Sequence, residues 1–171
     1  YRRQRQMCIR DRCIIDEDED FLYLLMELAE ESLDKRLEKG ILSATEVTEI
    51  IKGLASALVY LHQERKQIHQ DLKPANVLKV GGIWKLSNFG LVHSLGKKSS
   101  TRTNNLKGTI DYAPPEAYQG VIAPGWDLWS LGTMIAEMLT GKFPFTGKTE
   151  QELMKAVIEC QMSIDWDKLP T

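Results

Sequence analysis

The segment Val77 to Leu86, VLKVGGIWKL, sets two short apolar-rich runs on either side of a Gly-Gly pair. Such a link predicts a two-residue primed turn, because both central positions can take positive φ without a Cβ penalty. An antiparallel hairpin is expected, and it constrains more than its own residues. Asn76 stands just before the first strand and Asn88 just after the second, so both return to the same open end. Asp71 and Lys73 lie on the loop entering that end. Four polar side chains therefore converge on one place.

The rest of the chain supplies elements to pack around it. Phe21 to Met26, FLYLLM, is a short continuous apolar run that suits a buried strand, with Glu27 ending it. Ser32 to Lys39 carries a short amphipathic pattern closed by Gly40. Ser43 and Glu46 make a capping box, and Val47, Ile50, Ile51, Leu54, Leu58 and Leu61 share one face, which predicts a helix to about His62. Asp127 opens a second long helix, DLWSLGTMIAEMLTG. Leu128, Leu131, Ile135, Met138 and Leu139 lie on one side of it, with Trp129 and Met134 elsewhere. An almost all-round apolar helix belongs in a core, and Gly141 stops it. Thr149 and Glu152 make a second capping box for a helix through about Glu159. Between Gly90 and Pro115 periodicity dissolves, as in segments that are functional or mobile.

Composition narrows the classes. A chain of 171 residues can bury one good core and does not promise two. Twenty-two Lys and Arg against 24 Asp and Glu give a net charge of −2, which argues against a broad basic field for nucleic acid or anionic lipid. No apolar run approaches membrane-spanning length. The charge is uneven: YRRQRQMCIRDR, residues 1–12, holds five Arg and one Asp. This opening reads as a non-native or disordered basic extension, resembling translated library-adapter sequence. A solvated arm and a nucleic-acid-binding arm are the alternatives, the latter lacking interleaved aromatics. It has no signal-peptide order. Cys8, Cys13 and Cys160 show no CxxC spacing, which argues against a zinc site or disulfide scaffold and for a reducing, cytoplasmic setting. Asp16 to Asp20, DEDED, reads as a solvated turn.

Four motifs in order carry a resemblance. Ile68 to Asn76, IHQDLKPAN, resembles the catalytic loop of eukaryotic-type serine/threonine protein kinases. Asn88-Phe89-Gly90 sits where that family has DFG, Gly108 to Glu116 (GTIDYAPPE) resembles the end of its activation loop, and Asp127 to Gly132 (DLWSLG) resembles its core helix. The resemblance implies an α+β, mainly α-helical fold: a protein-kinase-like C-terminal lobe with a hinge strand and a catalytic-loop β-hairpin. Residues 13–171 would be a partial kinase domain without an N-terminal lobe, since a complete domain has about 250 residues, and this fragment alone would be inactive. It further implies transfer of the γ-phosphate of ATP, with Mg²⁺, to Ser/Thr hydroxyls of protein substrates. Asp71 would face the acceptor hydroxyl, Lys73 would neutralise the moving phosphoryl group, and Thr109 would orient both the acceptor and Asp71. Asn76 and Asn88 would be the metal ligands. Met26 would be the gatekeeper, the backbones of Glu27 and Ala29 would pair the adenine, Leu78 would lie beneath its ring, and Ser32 would reach the ribose. His69 would be a scaffold residue, and Asp127 a buried carboxylate holding the catalytic-loop backbone.

The departures carry their own expectations. Asn88 keeps one oxygen of the DFG aspartate and loses its charge, which implies weak activity or a pseudokinase scaffold. Gln70 replaces the HRD arginine and cannot reproduce its bidentate cation, so loop phosphorylation should contribute less. Pro114 stands where many members have Ala, and Glu116 resembles a residue that pairs with an arginine beyond Thr171.

Overall fold

A computed structural model describes residues 14–17, 22–25, 27–96, 98–103 and 108–164. The basic extension, Cys8, Cys13, Phe21 and Met26 lie outside the described residues. Strands β1 (Ile14–Glu17) and β2 (Leu22–Leu25) pair antiparallel, Ile14 opposite Leu25. The expected DEDED turn is corrected at Asp16 and Glu17, which belong to β1, and its residues 18–20 lie outside the described residues. The strand expected over 21–26 is present as β2 over Leu22–Leu25, the two flanking residues lying outside the described ones.

Beyond residues 27–30, which form no regular element, β3 (Glu31–Ser32) leads directly into α1 (Leu33–Leu37). Ser32 therefore sits at a strand end rather than inside the expected amphipathic helix, and its side chain makes no cap bond. Helix α2 (Ala44–Val59) starts as its capping box dictates: the Ser43 hydroxyl accepts from the Glu46 amide, and the Glu46 carboxylate accepts from the Ser43 amide at 3.0 Å. The chain continues past Val59 as a π-helical turn, Tyr60–Glu64. Val47, Ile50, Leu54, Leu58 and Leu61 are buried as their spacing predicts, and Ile51 packs partly buried against the same core. Full burial of a leucine such as Leu54 contributes about 1.5–3 kcal/mol.

Arg36 Nη2 donates to the other Glu46 oxygen at 2.8 Å. The Ser43 amide first, then Arg36 and the Ser43 hydroxyl, hold the Glu46 carboxyl down to about 2. A depressed carboxyl stabilises the fold fully above its ordinary value of 4.5 and loses that contribution as pH falls toward about 2. Glu46→Gln is therefore expected to lower the melting temperature at pH 7 and to converge on the parent chain near pH 2. Circular dichroism melts across that range check it. A constant difference would assign the loss to something other than the charge.

Strand β4 (Gln67–Ile68) precedes the loop that enters the hairpin, β5 (Val77–Val80) and β6 (Ile83–Leu86). The hairpin forms in the expected register, Val80 opposite Ile83 and Val77 opposite Leu86. Gly81 and Gly82 take φ of 58° and 74°, the positive values that the turn demands. Strand β3 adds to the open side of β5, giving the order β3-β5-β6.

The aperiodic segment contributes short pieces: β7 (His93–Ser94) pairs with β4, and β8 (Thr101–Arg102) pairs with β9 (Val121–Ile122). Helix α3 (Gly125–Thr140) begins two residues earlier than expected and is capped by Gly141. Leu131, Met134 and Met138 pack into the core with α2. Leu128, assigned by spacing to the apolar side, is 58% exposed, whereas Met134, placed off that side, is fully buried. The helix is so apolar that periodicity alone chose the wrong face at those two positions. Helix α4 (Glu150–Ile158) has half of its expected box: Thr149 accepts from the Glu152 amide, but Glu152 accepts from Lys148.

Candidate active site

The loop between β4 and β5 and the ends of the hairpin bring Asp71, Lys73, Asn76 and Asn88 together, and the segment after Gly108 adds Thr109 to one hydrogen-bonded network. Thr109 bridges its two charged members, accepting from Lys73 Nζ at 2.7 Å and donating to Asp71 Oδ1 at 2.9 Å. Lys73 Nζ also lies 3.2 Å from Asp71 Oδ2. Asn76 Nδ2 donates to the Asp71 carbonyl at 2.6 Å and to Asp71 Oδ2 at 2.9 Å. Asp71 is 7% exposed, so its carboxylate is oriented by protein groups more than by water. Asn88 Nδ2 donates to Asn76 Oδ1 at 3.0 Å and closes the network. Asn88 takes φ 59° and ψ 71°, a left-handed conformation that asparagine adopts more readily than most residues.

The backbone beneath these side chains is pinned from below. Asp127 is fully buried at the start of α3; its Oδ2 accepts from the His69 amide and its Oδ1 from the Gln70 amide, each at 2.9 Å. His62, carried by the π-helical turn, places Nε2 2.7 Å from Asp127 Oδ2. His69 donates Nε2–H to the Ser87 carbonyl at 2.8 Å, which leaves Nδ1 as a buried lone pair with no hydrogen-bond partner. Burial pushes the His69 imidazole below its ordinary value, as expected of a neutral scaffold residue. Its ring also meets Phe89 edge to face, with centroids 5.3 Å apart. Ser87 donates both its amide and its hydroxyl to the Asn76 carbonyl, each at 2.9 Å. Gly108 approaches so closely that a Cβ there would lie 2.6 Å from the Gln70 carbonyl oxygen, and its φ is 98°. Only glycine fits beside the loop at that point.

The residues assigned to adenine form a second group. Met26 lies outside the described residues. Glu27 and Ala29 are half-buried on the segment before β3, Leu78 is half-buried in β5, and Ser32 pairs with Leu78 across β3 and β5. The Glu27 carboxylate accepts from Lys85 Nζ at 2.5 Å. Lys85, Ser87, His62 and Gly108 were not singled out by spacing as site residues. A lysine in the interior of a hairpin strand was the one available signal.

Beside Lys73 a cavity of about 320 Å³ is lined by Asp34, Glu38, Tyr112 and Glu137 among others. Tyr112 donates to Glu137 Oε2 at 2.6 Å, and burial pushes both groups above their ordinary values.

Mg²⁺ asks for charged oxygens at close to octahedral geometry. Asn76 and Asn88 offer neutral carboxamides, and Asn88 turns an N–H onto the Asn76 oxygen that would have to face the cation. Among the described residues no group of three or more His, Cys, Asp or Glu is arranged to hold a metal ion. The donor set as it stands does not fit the cation.

The sequence profile of the protein kinase domain matches residues 8–170. The chain is 33% identical over 140 residues to the serine/threonine-protein kinase PrkC of Bacillus subtilis, which covers 79% of this chain and 21% of that protein. It is 44% identical over 110 residues to Aurora kinase A-A of Xenopus laevis, covering 63% of this chain and 26% of the relative. Ribosomal protein S6 kinase alpha-4 of Mus musculus is 32% identical over 163 residues, covering 86% and 21%. The chain thus spans between about a fifth and a quarter of the length of these relatives. With the profile running from residue 8 to residue 170 over the network just described, the chain belongs to the protein kinase domain family.

Proposed function

We propose that this chain is the hinge and most of the C-terminal lobe of a serine/threonine protein kinase that moves the γ-phosphate of ATP to a protein hydroxyl. The bridge from Lys73 through Thr109 to Asp71 carries the reading, because it sets a cation, a hydroxyl and a carboxylate in hydrogen-bond sequence. The acceptor oxygen attacks phosphorus, its proton passes to Asp71, and the bond to the ADP oxygen breaks. Lys73 offsets charge on the phosphoryl oxygens during that passage, and Thr109, bonded to both Lys73 and Asp71, holds the pair in a fixed geometry. Protein kinases as a family use ATP with Mg²⁺. Residues 27–29 would receive the adenine and Leu78 would floor it.

A second reading, a scaffold of the same fold with impaired transfer, is favoured by the amide bond between Asn88 and Asn76. The two are separated by incubating the full-length protein with γ-labelled ATP and a mixed set of serine, threonine and tyrosine peptides. Label is expected on serine and threonine and is expected to fall by about 10²-fold or more in Asp71→Asn. Transfer no greater than that of Asp71→Asn would assign the scaffold role instead.

A further inference from the structure

We propose that Lys85 is a positioning residue for the nucleotide site, fixing the segment that follows Glu27 over the hairpin; this rests on reading residues 27–29 as the adenine-binding segment. Lys85 lies inside β6, directly opposite Leu78, and is 5% exposed. Its ammonium donates to Glu27 Oε2 at 2.5 Å, while the Glu27 side chain keeps 25% exposure. The same strand runs on to Ser87, which holds the Asn76 carbonyl, and then to Asn88. One short stretch of backbone therefore links the adenine segment at one end to the paired asparagines at the other.

The ion pair is joined by further ties between the same two pieces. The Glu30 amide donates to the Lys79 carbonyl at 2.8 Å, and the Glu30 carboxylate accepts from the Gly82 amide at 2.9 Å. Glu31 pairs with Lys79 in the strand register. These bonds attach the far end of the segment, around residues 30–32. Lys85 attaches its near end, at the residue whose backbone would meet the adenine.

Burying an ammonium costs desolvation that its partner only partly offsets, and an apolar side chain of similar length would fill the same space. An ion pair in that position adds direction rather than bulk: it admits one placement of Glu27 relative to β6. Removing both charges should therefore leave the fold nearly as stable and let the segment wander.

The test compares the full chain with Lys85→Met/Glu27→Leu, using amide exchange by NMR and titration with ATP. The Glu30 amide is expected to exchange about tenfold faster in the variant, while Leu54 in α2 keeps its protection. ATP affinity is expected to weaken about tenfold, with the melting temperature within a few degrees of the parent. Lys85→Arg should restore most of the protection. If the double variant does not fold, Lys85→Met alone is read in the same way. An unchanged ratio of Glu30 to Leu54 exchange overturns the proposal. A parent chain that binds no ATP counts against the adenine reading of residues 27–29, and the Glu30 exchange then decides the role of Lys85 separately.

Discussion

In the full-length protein, Asn88→Asp is expected to raise phosphate transfer by about 10²–10³-fold, the scale of one transition-state electrostatic contact. In the parent chain the Asn88 amide gives its N–H to Asn76 Oδ1, so one candidate ligand is neutral and the other is occupied as an acceptor. A carboxylate at 88 cannot donate. It would repel the Asn76 oxygen until a cation lay between them, which converts a closed amide pair into a pair of oxygens with one negative charge. The backbone need not move, since aspartate tolerates the left-handed conformation found at Asn88. Two readouts separate this from a general effect. Transfer from γ-labelled ATP should rise only when Mg²⁺ is present, and Mg²⁺ should raise the melting temperature of the variant but not of the parent. No gain in transfer would place the defect elsewhere and favour the scaffold reading.

Asp127→Ala is expected to cost about 3–5 kcal/mol of stability, because it strips the partner from buried groups without replacing them. Three groups lose their acceptor at once: the His69 amide, the Gln70 amide and the His62 ring. For a chain of this size the loss corresponds to a fall in melting temperature of about 10 °C. Asp127→Asn, which keeps one carbonyl oxygen but aims an amide N–H at a donor, should fall between. Urea unfolding followed by tryptophan fluorescence provides the measurement. A change below about 1 kcal/mol would mean that the loop backbone is held chiefly by Gly108 and its neighbours rather than from α3.

Much of the scaffold was legible because its signals are local. The Gly-Gly turn needs only two residues with positive φ, and the Ser43–Glu46 box closes within a single helical turn. The convergence of Asn76 and Asn88 followed from strand pairing alone. Other signals failed where two local rules competed. Helix α3 is apolar on nearly every side, so its periodicity could not tell exposed Leu128 from buried Met134. The acidic run at Asp16 looked like a turn by charge, yet pairing with β2 carried Asp16 and Glu17 into a strand.

The amino-acid sequence by itself determined the hairpin, the helix starts and stops, and the order of motifs that marks the protein kinase domain family, since each depends on backbone preference or on fixed spacing. Only the tertiary structure decided which atoms of the polar groups meet. Asp127, expected by resemblance beneath the catalytic loop, binds the amides of His69 and Gln70, 58 and 57 residues away along the chain. The direction of the Asn88–Asn76 bond and the pairing of Lys85 with Glu27 arise in the same way. Packing brings a donor and an acceptor into a space with little water, and the geometry of that encounter, rather than the identity of the residues, settles what each can still offer to a ligand.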